Sequence, residues 1–350
     1  MPDLGFYNWM LIGLVVVLAV SFDFINGFHD TANAIATVVS TRVLTGGVAI
    51  LMAAVLNFVG ALTGQAVAKT ITGGLVDPGA VKALQFAPAQ VLVMSALVGA
   101  IIWNLLTWYL GIPSSSSHAL IGGVVGAGVA ALGTNQVIWS GLVNKVVIPL
   151  VFSPIAGFIV SWLLMRLLYV LVARATPQLV GNLFRRLQLV SAAFMAFSHG
   201  SNDAQKTMGV ITLALFSAGF NLPVDPQGSP NIPIEVILLA ALAMAFGTAA
   251  GGWRIIHTMG QRLAHLEPIH GFAAETTAAT VIETASRLGF PLSTTHVISS
   301  CILGVGAARR VSGVRWGVAF NMVRAWIYTI PVCAALAFIA YQLLHLIFAA

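Results

Sequence analysis

Charged residues are scarce in this chain. Of its 350 residues, 7% are charged and 59% are hydrophobic, whereas an average soluble domain has about 25% charged residues. This composition excludes a water-soluble globular protein. Uncharged apolar runs recur from Trp9 to the C-terminus, and about 20 apolar residues suffice for one membrane crossing. The sequence therefore predicts an integral membrane protein with no separate soluble domain.

Features of several other protein classes are also missing. The two cysteines, Cys301 and Cys333, lie in separate apolar stretches, which favours neither a disulfide framework nor a zinc site. The first ten residues contain no Lys or Arg, so the run from Met10 is interpreted as a first span and not a signal peptide. The net charge of +6 comes from basic residues scattered between apolar runs, a pattern of membrane-protein loops that argues against a nucleic-acid partner. No cofactor is expected.

Two pairs of similar motifs indicate an internal duplication. Residues 111–118 read GIPSSSSH and residues 289–296 read GFPLSTTH, so Gly, Pro, the hydroxyl triplet and His share one register. Upstream of each, an acidic motif shares its Gly and Asp, namely NGFHDTAN at 26–33 and HGSNDAQK at 199–206. Self-similarity of this kind is the signature of repeated structural units.

The apolar runs divide into two halves with about five membrane segments each. We expect an N-terminal transmembrane repeat over 1–165, a cytoplasmic Arg-rich linker over 166–187 and a C-terminal repeat over 188–350. Four arginines put the linker in the cytoplasm by the positive-inside rule. An odd number of segments then inverts the second repeat, as in many secondary transporters, with about 10–12 crossings or re-entrant elements in all. The predicted fold is an all-α membrane protein with both termini outside.

The two longest segments, 10–40 and 188–218, exceed one crossing and contain the acidic motifs near their middle. Secondary transporters often form their binding sites from discontinuous helices. We therefore predict helices that are broken at the motifs.

Half of the ten acidic residues lie within apolar segments: Asp23, Asp30, Asp203, Glu275 and Glu283. An intramembrane charge costs roughly 2.5–3.5 kcal/mol and is a functional candidate by default. Asp30, Asp203 and Glu275 are the predicted groups for cation or proton coupling, with helix capping as the alternative for the two aspartates. Glu283 precedes Arg287 by four residues, which favours an ion pair on one helix face.

The hydroxyl triplets are the predicted anion site. Each follows a proline, which favours the first turn of a helix, and a helix N-terminus offers free N–H groups and the positive end of the dipole to an anion. Simple capping is the alternative. Amide side chains near the aspartates could add ligands or could only join helices. The substrate-binding candidates are Ser115, Ser116, Ser117, Ser293, Thr294, Thr295, Asn33, Asn202 and Gln205.

Three further side chains allow two interpretations. His118 and His296 follow the triplets and either change protonation near neutral pH or pack within their helices. Lys206 follows Asp203 by three residues and either neutralises that acid or contacts an anion.

These motifs resemble those of the inorganic phosphate transporter (Pit) family. The resemblance covers nearly all 350 residues, and NGFHDTANA at 26–34 and FSHGSNDAQKTMG at 197–209 are most similar to the bacterial low-affinity branch. It implies that the hydroxyl triplets and nearby amides bind phosphate, and that Asp30 and Asp203 serve the coupled cation. His29 and Lys206 stand where the broader family has Asn, which predicts asymmetric cation coordination.

The resemblance further implies a secondary transporter of the bacterial inner membrane, not an enzyme, which imports inorganic phosphate by proton symport and alternating access. The implied substrate includes a neutral complex of phosphate with a divalent metal, and a homodimer is expected. Sodium coupling and a passive anion channel are the alternatives. A serine hydrolase is disfavoured because catalysis needs one oriented nucleophile, whereas here Ser and His adjoin in both halves.

Overall fold

The computed structural model describes residues 4–226 and 229–349, and within these ranges the chain forms helices and no β-strand, apart from isolated bridge pairs. The first half contains α1 (Phe6–Ser40), α2 (Gly46–Ala61), α3 (Ala66–Gly73), α4 (Pro78–Ala83), α5 (Phe86–Leu110), α6 (Ser116–Leu132), α7 (Trp139–Leu142) and α8 (Ile148–Leu171). The second half contains α9 (Pro177–Ser217), α10 (Ile234–Ala250), α11 (Trp253–His257), α12 (Pro268–Arg287), α13 (Thr294–Arg309) and α14 (Trp316–Phe348).

The order of elements repeats between the halves. The long helices α1 and α9 are each followed by a bent pair, α2 with α3 and α10 with the 253–262 segment, bent by 69° and 62°. We call residues 113–118 and 291–296 the Pro–hydroxyl motifs. Helices α6 and α13 each begin within one of these motifs, and each ends near a short 3₁₀ turn. Helices α8 and α14 then close the two halves. The duplication that the sequence predicts is therefore present in the structure, while the division into three segments at 1–165, 166–187 and 188–350 stays a prediction.

Within the described residues, four helical segments are long and apolar enough to cross a bilayer, and counting each bent pair as one span gives six. The four segments are Phe6–Ser40, Phe86–Leu110, Trp139–Leu171 and Trp316–Phe348. The all-α membrane class is thus confirmed. The larger number of crossings or re-entrant elements stays a prediction.

The helix breaks lie elsewhere than predicted. Helices α1 and α9 run without interruption through Asp30 and Asp203. The motif glycines instead permit close contact between helices, because a Cβ on Gly27 would lie 2.7 Å from the Met244 carbonyl oxygen of α10. A Cβ on Gly200 would likewise collide with the backbone of Asn57 in α2. Small residues at such crossings are typical of membrane helices.

The two halves interleave. Helix α1 of the first half packs against α10 of the second, and α9 packs against α2. In the same way α6 packs against α14, and α13 against α8. This exchange of partners brings the Asp-bearing helices and both Pro–hydroxyl motifs to the centre of the molecule.

The molecule has two chemically different ends. Helix α1 has 35 residues and, at 1.5 Å per residue, is about 52 Å long. At its start, the Tyr7 hydroxyl donates to the Phe348 carbonyl at 2.5 Å, so the beginning of α1 and the end of α14 share one end. At the opposite end, Arg185 donates to the Arg42 carbonyl at 2.9 Å. The loop arginines 42 and 315 and His265 surround one pocket there, which makes this end basic.

Candidate substrate and cation site

Asp30, Asp203 and the first turns of α6 and α13 meet in one buried centre. The Ser116 hydroxyl at the start of α6 donates to Asp30 Oδ2 at 2.8 Å. The Thr294 hydroxyl at the start of α13 lies 3.5 Å from Asp203 Oδ2. Asn33 joins the halves by donating from Nδ2 to Thr294 and Thr295 at 3.1 and 2.9 Å. The structure thus brings together predicted anion and cation groups from both repeats, namely Asp30, Asp203, Ser116, Thr294, Thr295 and Asn33.

Asp30 is held by hydroxyl and imidazole groups. Besides Ser116, its Oδ1 lies 2.6 Å from His29 Nδ1. The other ring nitrogen of His29 lies 3.1 Å from the Thr107 hydroxyl on α5, and Ser114 donates to that hydroxyl at 2.8 Å. His29, which stands where the resemblance leads us to expect Asn, therefore positions the Asp30 carboxylate.

Asp203 has a different environment, because its nearest partner is a full positive charge. Lys206 Nζ donates to Asp203 Oδ1 at 2.5 Å, and both side chains are fully buried. Lys206 therefore neutralises this acid, as one of its two interpretations predicts. His199 Nε2 lies 3.4 Å from Asp203 Oδ2.

Asp30, His199 and Asp203 form a group that could hold a metal ion. One ligand atom from each lies within 4.8 Å of the others, and carboxylates with imidazole suit several divalent metals. His199 was not among the sequence candidates. Its position four residues before Asp203, on the same helix face, is the signal that could have found it.

The first hydroxyls of the two triplets have the same role, and so do the second hydroxyls. The first hydroxyl caps the helix, since Ser115 and Ser293 accept from the backbone N–H of His118 and His296, both at 3.2 Å. For these two serines, the structure has the arrangement of the capping alternative. The second hydroxyl, on Ser116 or Thr294, faces a carboxylate.

The third hydroxyls link the two halves. Ser117 donates to the Leu292 carbonyl of the opposite motif at 2.8 Å. Thr295 is one of the two acceptors for Asn33. The two Pro–hydroxyl motifs are therefore in direct contact at the centre.

The three candidate amides differ in their surroundings. Asn33 lies within the centre, and Asn202 is buried beside Asp203 in the chain with both amide atoms unpartnered among the described residues. The Gln205 oxygen accepts from the backbone of Val67 and Ala68 at 2.8 and 3.3 Å, at the start of α3. Its nitrogen donates to Ser286 at 3.2 Å. These contacts give Gln205 a role in holding α3 and α12 to α9.

Glu275 forms a separate buried cluster. Its carboxylate accepts from Thr37 at 2.5 Å, Ser191 at 2.5 Å and Gln188 at 3.0 Å. Thr37 follows Asp30 by seven residues, or about 10 Å along α1. Glu275 is therefore not part of the Asp30–Asp203 centre.

The predicted Glu283–Arg287 ion pair is present on α12. Arg287 Nε donates to Glu283 Oε1 at 2.8 Å, and its side chain is exposed. Glu283, whose side chain is 14% exposed, thus forms the ion pair that its spacing predicts.

His118 and His296 pack against each other. Their ring centroids are 4.9 Å apart, and His296 also stacks on Trp326 at 3.9 Å. Trp326 in turn donates to the Pro113 carbonyl at 3.2 Å. These contacts fit the packing interpretation of the two histidines.

The residues of the centre are closed off from solvent. Asp30 is 2% exposed, Asp203 is fully buried, and Ser116 and Thr294 are each 1% exposed. Asp23, which the sequence marks as an intramembrane acid without a role, is also fully buried. A solute can reach this centre only if the surrounding helices move.

The sequence of this chain is similar to those of phosphate transporters. The model of the "Phosphate transporter family" matches residues 26–337. A Bacillus subtilis (strain 168) protein, "Probable low-affinity inorganic phosphate transporter", is 46% identical over 335 residues, covering 96% of this chain and 97% of the relative. A Rhizobium meliloti (strain 1021) protein of the same description is 48% identical over 334 residues, covering 95% of this chain and 96% of the relative.

A solved structure is similar over the same extent. "The sodium-dependent phosphate transporter" superposes with a TM-score of 0.87 at 27% identity, and the match covers 97% of this chain and 100% of the other. The similarity therefore extends over nearly the full length of the chain in both sequence and fold.

Proposed function

This chain belongs to the phosphate transporter family, and we propose that it imports inorganic phosphate across a bacterial cytoplasmic membrane by symport with protons. The relatives that it matches are named as transporters, so the chain is a phosphate transporter and not a hydrolase. The direction, the coupling ion and the form of the phosphate are parts of the proposal.

One observation carries the proposal most directly. Two helix N-termini bearing hydroxyl groups and two carboxylates, one of each from each repeat, meet in a single buried centre. Helix N-termini bind oxyanions through N–H groups and the helix dipole, and carboxylates supply the charge that attracts a coupled cation. The centre thus combines the two kinds of group that an anion–cation symporter needs.

The hydroxyls of Ser116 and Thr294 and the amide of Asn33 are the proposed phosphate ligands. In the structure they bond within the centre, to carboxylates or to one another. When phosphate takes these donors, Asp30 and Asp203 lose hydrogen bonds in a buried environment and face a new negative charge. Both effects favour binding of a proton or another cation to the carboxylates.

The cation is assigned from the surroundings of the two carboxylates. A buried ammonium already faces Asp203, which supports protons over a second metal cation on that side. Sodium coupling is the competing candidate, because the similar solved structure is titled as sodium-dependent. A divalent metal that travels with phosphate as a neutral complex is a further part of the proposal, with Asp30 and His199 of the Asp30–His199–Asp203 group as its first candidate ligands.

The orientation follows from the two ends of the molecule. The end with the loop arginines is assigned to the cytoplasm by the positive-inside rule. The end that holds Tyr7 and Phe348 then faces outside. Lys69 at this outer end pairs with Asp225 at 2.8 Å, which reduces its conflict with the rule.

Uptake of labelled phosphate into proteoliposomes tests the proposal. A pH gradient and a sodium gradient are imposed separately, each with and without Mg²⁺. We expect phosphate to accumulate when the outside is acidic and choline replaces sodium. Accumulation that requires sodium would favour the competing candidate, and equilibration without concentration under every gradient would indicate a passive channel.

A further inference from the structure

The two halves of the centre differ at one matched position. When Gly27 is aligned with Gly200 and Asp30 with Asp203, Asn33 corresponds to Lys206. The side chain of Asn33 crosses to the opposite repeat and donates to Thr294 and Thr295. Lys206 instead donates to Asp203, three residues earlier on its own helix. The same helical position thus serves a cross-repeat bond in one half and a charge pair in the other.

Lys206 is unusual among the basic residues of the protein. Among the residues that the structure describes, no other Lys or Arg side chain is buried. Lysine is almost never fully buried unless it is paired, because removing an ammonium from water costs several kcal/mol. Its 2.5 Å contact with Asp203 is therefore part of what makes the position tolerable.

The first carboxylate has no equivalent partner. Asp30 bonds to the His29 ring and the Ser116 hydroxyl, and no Lys or Arg side chain of the described residues forms an ion pair with it. Beside Asp203, by contrast, the Thr294 hydroxyl lies 3.5 Å from Oδ2 and offers an oxygen atom. Carboxylate and hydroxyl oxygens are ligands suited to a sodium ion.

We propose that the Lys206 ammonium is a built-in cation that takes the place of an exchangeable sodium ion at Asp203. This inference rests on the proposed function, since it concerns the coupling ions of the same centre. One carboxylate, Asp203, has its counter-charge as part of the chain, whereas Asp30 depends on a cation from solution. The transporter accordingly needs no sodium ion at Asp203.

The test replaces Lys206 by the residue at the matching position of the first repeat. In Lys206→Asn the ammonium is lost and an amide oxygen is gained next to Asp203, which should create a sodium site. We expect the thermal stability of purified wild-type protein to be the same in sodium chloride and choline chloride. The variant should be selectively stabilised by sodium, because a ligand that binds only the folded state raises its stability.

Transport provides the second measurement. Wild-type uptake driven by a pH gradient should be the same with sodium and with choline. Uptake by Lys206→Asn should be about tenfold faster with sodium, within the range of typical coupling between two ligands. The matched control is Lys69→Asn, which removes the lysine of the partly exposed Lys69–Asp225 pair and should create no sodium response.

Each outcome decides the inference. A Lys206→Asn protein that folds in sodium but not in choline supports it, whereas a protein that folds in neither salt overturns it. Weaker phosphate binding without any sodium response would also overturn it, and would make Lys206 a direct phosphate ligand. The stability measurement needs no phosphate, so it remains informative if wild-type protein transports no phosphate and the proposed function fails.

Discussion

Removing the two central carboxylates one at a time should have unequal effects on stability. In Asp30→Asn the amide oxygen can still accept from Ser116, and His29 can adapt by changing its tautomer. A hydrogen bond to a charged group contributes about 1.5–3 kcal/mol and a neutral one about 0.5–1.5 kcal/mol. With two such partners, the free energy of unfolding should fall by about 2–3 kcal/mol.

Asp203→Asn should cost more, because it leaves the fully buried Lys206 ammonium without its counter-charge. Breaking a buried ion pair by removing one partner typically costs about 3–5 kcal/mol. Removing both charges in Asp203→Asn with Lys206→Asn should recover much of that loss, since a buried pair often contributes little net stability. This recovery is the interaction energy of a double-mutant cycle.

Thermal unfolding in detergent can be followed with a thiol-reactive fluorophore, because the two cysteines, Cys301 and Cys333, are both buried. Asp77→Asn is the matched control, since Asp77 is exposed, caps α4 and Asn is an equally good cap. Both central variants should abolish pH-driven accumulation of phosphate, and the control should not. Equal stability losses at Asp30 and Asp203, with no recovery in the double variant, would refute the assigned charge pair. Near-normal accumulation by either single variant would refute its role in coupling.

Three further changes separate the roles of individual groups. Ser115→Ala should lower stability by about 1 kcal/mol through loss of a helix cap without changing the KM for phosphate, whereas Ser116→Ala should raise that KM. A raised KM in Ser115→Ala and an unchanged KM in Ser116→Ala, measured in uptake assays, would contradict the separate roles of the two serines. Gly27→Ala should destabilise by about 1–3 kcal/mol through overpacking, while Gly13→Ala, with open space around the added Cβ, should not; equal melting temperatures would contradict the close contact with α10. Chelation of divalent cations should slow uptake by the wild type but not by His199→Ala, and an identical response of both would argue against a metal at that group.

Much of the centre is predictable from the sequence because each motif occurs twice, once in each half of the chain. A single Pro–Ser–Ser or a single Asp in an apolar run could be a cap. Two copies in one register indicate paired sites, and Asp30, Asp203, Ser116 and Thr294 do meet. The charge pattern also predicts the separation of the basic loops from the two termini, because insertion sorts basic residues to one side.

What the sequence does not predict depends on contacts between residues far apart in the chain. Glycine at a motif indicates either a break or a close approach, and only the position of α10 against Gly27 decides between them. Gln205 has an amide side chain that could bind a substrate, but its oxygen accepts a hydrogen bond from the backbone N–H of Val67 at the start of α3. Glu275 is an intramembrane acid like Asp30, yet the donors that surround it come from α1 and α9.

The hydrogen bonds of the centre also provide a reason for coupling. Ser116 and Thr294 donate to the same carboxylates that would bind a cation, so anion binding to the hydroxyls and cation binding to the carboxylates break the same hydrogen bonds. A phosphate that binds these hydroxyls removes donors from buried carboxylates, and an unsatisfied buried charged group costs more than about 1–3 kcal/mol. Cation binding removes that cost. The free energy of binding phosphate and cation together is therefore more favourable than the sum of the two separate binding free energies. Each ligand therefore raises the affinity for the other by the same factor, and phosphate alone should bind weakly at alkaline pH in choline and tightly when the pH is lowered. Phosphate affinity that does not change with pH would show that the hydroxyls and carboxylates act independently.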